Sequence, residues 1–401
     1  MDTRSQQAAI ELLIEWEIDG RRHHNREYFE KISFWRDIFP GSLSLKLPDS
    51  GGNWVSETFP PGELVPRWSQ DHLHTVNRKD LKLHRKHGPA IGIQGGRHYP
   101  RLIAAGTAGI FDGNMQPLRI TELDEHSVTI DLNHPLSRSP VTVSARIVND
   151  LGAGLEHGGR CTEVLMDALN AGIGLEALYP PDETGFMSDG SFNRMDDRED
   201  SLFYETARLV QHLDRTAIDQ VSEIHGRFLQ PGMQVLDLMS SWVSHIPESV
   251  TDLNVTGLGM NADELARNPR LSSKVIQDIN LQTSLPFDDR QFDAVICSAS
   301  VEYLTEPLAV FRELGRVLKP GAPAIITFTD RWFPTKVIEL WTALHPFERL
   351  ALVQEYFRSA GNFTDIETET ARGRPRPEDD KYARQQAFSD PVYAVWARAT
   401  G

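Results

Sequence analysis

The feature that most constrains this chain is a train of short apolar runs in its second half, spaced by helical patterns. Val235-Leu236-Asp237-Leu238 is the first run, and Val255 to Leu258 the second. Lys274 to Asp278 is the third, Phe292 to Ser298 the fourth and Pro323 to Phe328 the fifth. Helical patterns near Tyr204 to Leu213, and from there to Phe228, precede the first run, and Gln230-Pro231-Gly232 marks a turn. A further helical pattern covers Pro307 to Leu318. Runs this short, without alternation, read as strands buried on both faces. Strands alternating with helices predict an α/β domain over residues 203–401 with a parallel, doubly wound sheet. Phe363 to Thr368 and Val392 to Arg398 are expected to complete that sheet as a terminal hairpin.

The first half reads differently. With 401 residues the chain exceeds one ordinary hydrophobic core, so a second domain is expected. Ile10, Leu13, Ile14 and Ile18 fit a helical stripe that Gly20 would end. Tyr28 to Phe39 would form a second helix, stopped by Pro40-Gly41. Residues 1–40 are therefore expected to be a helical arm. Residues 41–150 read as a mainly-β domain. Leu118 and Ile120, then Val128, Ile130 and Leu132, then Val141, Val143 and Ala145 alternate with polar residues, which predicts three half-buried antiparallel strands. Asp112-Gly113 is a hairpin signal before them. Residues 151–202 are broken by glycine and proline and read as a linker, with one short helix near Thr162 to Leu169.

Charge and cysteine usage narrow the function. The 57 acidic residues against 41 basic give a net charge of -16, which repels phosphate backbones and disfavours nucleic acid as a partner. Two cysteines, Cys161 and Cys297, are too few for a disulfide framework and fit a reducing cytoplasm. The first residues lack a signal-peptide pattern, and no apolar stretch approaches the roughly 20 residues needed to span a bilayer. Neither secretion nor a membrane is expected. His72, His74, His84, His87 and His98 have no cysteine or acid cluster beside them, so no metal site is expected.

In a doubly wound sheet, ligands bind beyond the carboxyl ends of the strands. The first strand here runs into Asp237-Leu238-Met239-Ser240-Ser241-Trp242. SLPFDDRQFDAVICSASVEYL follows over residues 284–304, and LKPGAPAIITF over residues 318–328. In that order these segments resemble a class I S-adenosylmethionine-dependent methyltransferase over residues 203–400. The resemblance implies a Rossmann-like fold, S-adenosylmethionine as cofactor and methyl transfer to a small-molecule or peptide acceptor.

It also implies where the cofactor lies. The family's first loop is glycine-rich after the acid; here Met239, Ser240 and Ser241 follow Asp237, and the serine hydroxyls can donate hydrogen bonds instead. The acid that usually ends the second strand is replaced by Gly259, with Asn261 two residues on as an uncharged partner for a hydroxyl. Asp278, Ile279 and Asn280 stand where the family contacts adenine, and Ser298 ends the fourth strand. Tyr204, Arg208 and His212 lie at helical spacing ahead of the first strand. Arg208 is the candidate for the cofactor carboxylate, with Tyr204 adding a hydroxyl.

Plain structural readings compete with each of these. Asp237 could cap a helix, Asp278 to Asn280 could be a turn, Tyr303 could be packing, and His245 a loop histidine. Tyr204, Arg208 and His212 could form a solvated helix face. Trp332, Phe333, Trp341 and Phe347 could line an acceptor pocket or pack a helix core. Methyl transfer needs chiefly an in-line nucleophile and exclusion of water, with a base required only for a protonated acceptor. No catalytic residue is legible on that ground.

The β domain has its own resemblance. Residues 120–148, ITELDEHSVTIDLNHPLSRSPVTVSARIV, are similar to the end of the SlyD-like group of FKBP-type prolyl isomerases, carried by Asp131, Asn133, His134, Pro135 and Leu136. No counterpart of that group's opening strand is found. Two rival functions follow: a S-adenosylmethionine-binding or chaperone-like protein without catalysis, and a prolyl isomerase.

Overall fold

The structure is a computed structural model that describes residues 6–83, 92–154, 158–178 and 184–401. His84 and His87 lie outside the described residues. The chain divides into two compact units, one built from residues 1–20, 31–189 and 344–351, the other from 21–30, 190–343 and 352–401.

In the first unit the predicted helical arm is a strand. Gln6–Ile18 pairs antiparallel with Val141–Ala153, whose other edge pairs with Val55–Phe59. Ala8, Ile10, Leu12, Ile14 and Trp16 are all buried, at most 4 % exposed, while Leu13 is partly exposed. From Leu12 to Trp16 burial therefore repeats every two residues, while Gln7 to Glu11 are buried on both faces of the strand. Helical and strand frames share Ile10 and Ile14, and the long partner strand decides between them. Asp19 and Gly20, at φ 50° and 72°, end this strand in a turn. The second predicted helix is absent too: residues 28–33 continue the strand Arg21–Ser33.

The three strands expected in residues 118–145 are present but serve two sheets. Pro117–Leu123 and Ser127–Asp131 join Leu73–Asn77 and His98–Pro100 in a four-stranded antiparallel sheet. Leu118, Ile120, Val128 and Ile130 bury its face against Ile103 and Ile110. Val141–Ala153 belongs instead beside Gln6–Ile18. The linker reading also fails. Helix Val164–Asn170 is followed by Ile173, Leu175, Leu178 and Phe186, all at most 4 % exposed, so this stretch is packed core.

The second unit holds the predicted α/β sheet. Its strands are β1 Gln234–Leu238, β2 Asn254–Gly259, β3 Leu271–Ile276, β4 Ala294–Ser298, β5 Pro323–Phe328, β6 Phe363–Arg372 and β7 Val392–Ala399. Their order is β3-β2-β1-β4-β5-β7-β6, parallel except for β7. Arg22 to Glu27 pair parallel with Glu367 to Arg372 on the outer edge of β6. The unit thus draws a strand from the very start of the chain, outside the predicted limits of 203–401. β6 and β7 pair antiparallel as expected, although residues 373–391 intervene.

Three helices frame the strand ends. α1 Arg215–Gly226 is capped by Asp214, which accepts the Ala217 N–H at 3.1 Å, and buries Ala217, Val221 and Ile224. α2 Ala262–Arg267 follows β2, and α3 Pro307–Val317 buries Val310, Phe311 and Leu314 with Pro307 in its first turn.

The helix expected over Tyr204 to Leu213 stops at its start. Asp200–Tyr204 is helical and residues 205–213 are not. A continuing helix would bond the Arg208 N–H to the Tyr204 carbonyl. Instead that N–H donates to Glu264 Oε1 at 2.7 Å, and the Tyr204 carbonyl accepts Asn261 Nδ2 at 2.9 Å. Tertiary partners have taken both ends of the helical bond.

No described helix is long and apolar enough to cross a membrane, and the described residues hold no cluster of metal-ligating side chains.

Candidate functional site

A cavity opens beyond the carboxyl ends of β1, β2, β3 and β4. Asp237, Met239, Ser240 and Ser241 reach it from β1 and its loop, Gly259 and Asn261 from the end of β2, and Asp278, Ile279 and Asn280 from the end of β3. Ser298 reaches it from β4, and Tyr204, Arg208 and His212 from the segment before α1. Every residue that the sequence singled out for the cofactor therefore lines one space, although the helix expected to carry Tyr204, Arg208 and His212 does not exist.

The β1 loop is ordered by side chains where glycines are missing. Ser240 Oγ and Ser244 Oγ both donate to Asp237 Oδ2, at 2.6 and 2.7 Å. Asp237 is 3 % exposed, and burial pushes its carboxyl up to about 6 against the pull of the two hydroxyls. Met239 takes φ 55°, His245 φ 49° and Ala299 φ 48°, the left-handed region that glycine favours. Each costs of order 1 kcal/mol, and such strain gathers at functional sites. The backbone path is that of a glycine loop, held by non-glycine residues.

At Gly259 a side chain is impossible, because a Cβ there would collide with the carbonyl oxygen of Ser240. The Ser240 N–H donates to the Leu258 carbonyl at 2.7 Å, which brings the loop against the end of β2. The acid of this region is instead Glu264, in the first turn of α2. Its Oε2 accepts Ser241 Oγ at 2.6 Å and its Oε1 accepts the Arg208 N–H. Glu264 escaped the sequence reading. Its signal was the spacing Asn261-x-x-Glu264, a capping residue followed three later by glutamate. Asn261 does cap α2, accepting the Glu264 N–H at 3.0 Å.

That cap corrects the role expected of Asn261. Its Nδ2 donates to the carbonyls of Tyr204 and Glu205, so its amide is engaged within the protein and not open to a ligand hydroxyl. Asn280 is similarly engaged, donating to Asp200 Oδ2 and the Tyr303 carbonyl and accepting the Thr305 N–H. Asp200, also missed by the sequence reading, lies on the cavity wall and pairs with Lys336 Nζ at 3.0 Å and Arg194 Nη1 at 2.8 Å.

Four residues of the wall each carry a buried polar atom with no hydrogen-bond partner among the described residues: Arg208 Nη1, Asp278 Oδ2, His245 Nδ1 and Ser298 Oγ. Buried polar atoms are almost always paired, and an orphan costs about 1–3 kcal/mol. Arg208 is otherwise held firmly. Its Nη2 donates to the Phe203 carbonyl at 2.8 Å, and its guanidinium lies 4.3 Å from the Phe203 ring centre and 5.3 Å from that of Phe333. Burial raises the Asp278 carboxyl above its usual range, with the Asp200 charge adding to it, and lowers His245 to about 4.

Of the aromatic insert after β5, Phe333 lines the cavity, and its N–H donates to Tyr303 Oη at 2.9 Å. Trp341 and Phe347 are core residues, 0 % and 1 % exposed, with Trp341 edge-on to Phe328. Trp332 is half-buried and is not among the cavity-lining residues. Trp242 lines the cavity.

A mostly parallel sheet of this order, with a polar cavity at the carboxyl ends of its first strands, marks the second unit as carrying a class I S-adenosylmethionine-dependent methyltransferase domain. Residues 239–326 match the family of methyltransferase domains. Among curated relatives, the demethylmenaquinone methyltransferase of Renibacterium salmoninarum is 29 % identical over 147 residues, covering 36 % of this chain and 58 % of the relative. The ubiquinone/menaquinone biosynthesis C-methyltransferase UbiE of Chromobacterium violaceum is 31 % identical over 105 residues, covering 24 % and 41 %. The ubiquinone biosynthesis O-methyltransferase of Xanthomonas campestris pv. campestris is 29 % identical over 117 residues, covering 27 % and 48 %. The chain spans about half the length of the curated relatives it matches.

Proposed function

We propose that this protein binds S-adenosylmethionine in the strand-end cavity and transfers its methyl group to a small-molecule or peptide acceptor. The observation that carries this reading is that four residues lining one cavity each hold a buried polar atom without a hydrogen-bond partner among the described residues. Arg208 Nη1 suits the cofactor carboxylate, and Asp278 Oδ2, at the end of β3, suits an amino group on a purine. The bound cofactor supplies a methyl carbon that is already electrophilic, so the chain's own work is to orient and to exclude water. Phe333 and Trp242 supply the apolar cover, and the strained β1 loop holds the backbone close to the ligand.

The FKBP-like reading of the mainly-β segment belongs here as well, as a statement about fold. The long strand Gln6–Ile18, paired antiparallel along Val141–Ala153, is the observation that supports it. A cytoplasmic enzyme with no prolyl isomerase activity is the reading we favour.

Titration calorimetry of the full-length protein with S-adenosylmethionine and S-adenosylhomocysteine tests the proposal. Micromolar binding of both is expected. Folded protein that takes up neither overturns it. Tight binding with no S-adenosylhomocysteine formed from any acceptor extract would favour the non-catalytic rival.

A further inference from the structure

We infer that residues 205–213 switch between the coil they form over the strand-end cavity and a helix that continues Asp200–Tyr204, and that the helical state admits the cofactor. The second clause rests on the methyltransferase reading above; the two backbone states do not. The segment Glu205-Thr206-Ala207-Arg208-Leu209-Val210-Gln211-His212-Leu213 contains no glycine or proline, and its Ala, Arg, Leu and Gln are strong helix formers. Asp200–Tyr204 already supplies the unfavourable first turn. A helix carried on to Leu213 would reach about 12–15 residues, the length at which isolated helices are marginal in water. The segment therefore lies close to balance, and a few tertiary contacts decide its state.

Those contacts come from the cap and first turn of α2. Asn261 Nδ2 donates to the Tyr204 and Glu205 carbonyls at 2.9 and 3.1 Å, and Glu264 Oε1 accepts the Arg208 N–H at 2.7 Å. In the helix the same two carbonyls would accept the Arg208 and Leu209 N–H groups. The Arg208 N–H has one proton, so it serves Glu264 or the Tyr204 carbonyl and never both. From Thr206 to Leu213 it is the one backbone N–H bonded among the described residues. The coil thus leaves unformed the ladder of bonds that the helix would make. It also leaves Leu202 62 %, Leu209 37 % and Val210 54 % exposed. In a helix Leu202, Leu209 and Leu213 would share one face, by their spacing. Two exclusive hydrogen-bond sets on one sequence make a bistable element.

The coil is the closed state. It places Arg208, Val210, Gln211, His212 and Leu213 on the wall of a cavity of about 170 Å³, against the ~300–1,000 Å³ usual for small-molecule sites. Entry of a cofactor therefore requires part of the wall to withdraw. The backbone of this segment is held by the three hydrogen bonds from Asn261 and Glu264, and Leu213 is its one buried residue. A bound carboxylate would give the unpartnered Arg208 Nη1 its partner in the coil, so binding draws the switch closed.

Hydrogen exchange on the full-length protein, read by mass spectrometry over residues 204–213, tests the switch. The double variant Asn261→Ser, Glu264→Ala keeps a serine cap on α2 and removes all three contacts. Its amides in this stretch should exchange about tenfold more slowly than those of wild type, because the released chain becomes helix. Asn261→Ser alone should move exchange in the same direction by less. Leu209→Pro added to the double variant should return exchange to the wild-type rate, since proline cannot continue a helix. Faster or unchanged exchange in the double variant overturns the switch. The gate is read by stopped-flow tryptophan fluorescence, Trp242 being on the cavity wall. Leu209→Pro alone, which cannot reach the open helix, should slow both association and dissociation of S-adenosylhomocysteine at least fivefold, with affinity within about threefold. Rates equal to those of wild type overturn the gate. Failure of S-adenosylhomocysteine to bind wild type would instead count against the cofactor reading, and the exchange result would still decide the switch.

Discussion

The carboxylate of Glu264 accepts the backbone N–H of Arg208 at 2.7 Å, across 56 residues of sequence. The same carboxylate holds the Ser241 hydroxyl of the β1 loop. One side chain at the start of α2 thus ties together two segments that both line the cavity. It also ends the helix that residues 204–213 would otherwise continue, and so sets where the Arg208 guanidinium lies.

Glu264→Ala removes both anchors at once. S-Adenosylhomocysteine affinity should fall by about 1–3 kcal/mol, the usual cost of unmaking a buried polar contact. Glu264→Gln keeps one accepting oxygen and should recover part of the loss. Calorimetry on the two variants reads the difference, and equal affinities for wild type and Glu264→Ala would refute a positioning role.

Arg208 should discriminate between ligands. Arg208→Ala is expected to weaken S-adenosylhomocysteine at least tenfold while leaving methylthioadenosine, which lacks the amino-acid carboxylate, nearly unchanged. Arg208→Lys should restore part of the loss, because an ammonium cannot bond a carboxylate through two parallel N–H groups. Equal weakening of the two ligands would return the carboxylate to backbone donors near Ser240.

Asp237 makes the apo protein sensitive to acid in an unusual direction. Its folded value of about 6 lies above the ordinary value of 3.8. The folded state therefore binds more protons than the unfolded state between those limits, and stability falls as pH rises from about 4 through 6. The difference is worth roughly 3 kcal/mol at pH 7. Melting temperatures of Asp237→Asn should be flatter than wild type across this window. A wild-type curve that rises there, parallel to the variant's, would disprove the assignment.

Gly259 tolerates no side chain. Gly259→Ala drives a Cβ into the carbonyl oxygen of Ser240, and backbone on both sides leaves no flexible group to yield. A loss of about 1–3 kcal/mol is expected from the overpacking, with cofactor affinity lost as the β1 loop is displaced. Urea denaturation reads the first, and an unchanged midpoint would refute the close crossing.

The sequence by itself determined the α/β half. Val235 to Leu238, Val255 to Leu258 and Pro323 to Phe328 are apolar runs with one stable place, the middle of a parallel sheet, and the observed strands fall on them within a residue or two. Because ligand sites in such sheets lie at strand ends, locating the strands also located Asp237, Gly259, Asp278 and Ser298 on one cavity. The tertiary structure alone decided the rest. Residues 6–18 satisfy a helical and a strand period together, and the choice came from a partner, Val141–Ala153, more than 120 residues away. Residues 205–213 carry a helical pattern, yet Asn261 and Glu264 take the backbone groups a helix would use. Local periodicity cannot register either fact, because hydrogen bonds between residues distant in sequence outweigh a few tenths of a kcal/mol of propensity per residue.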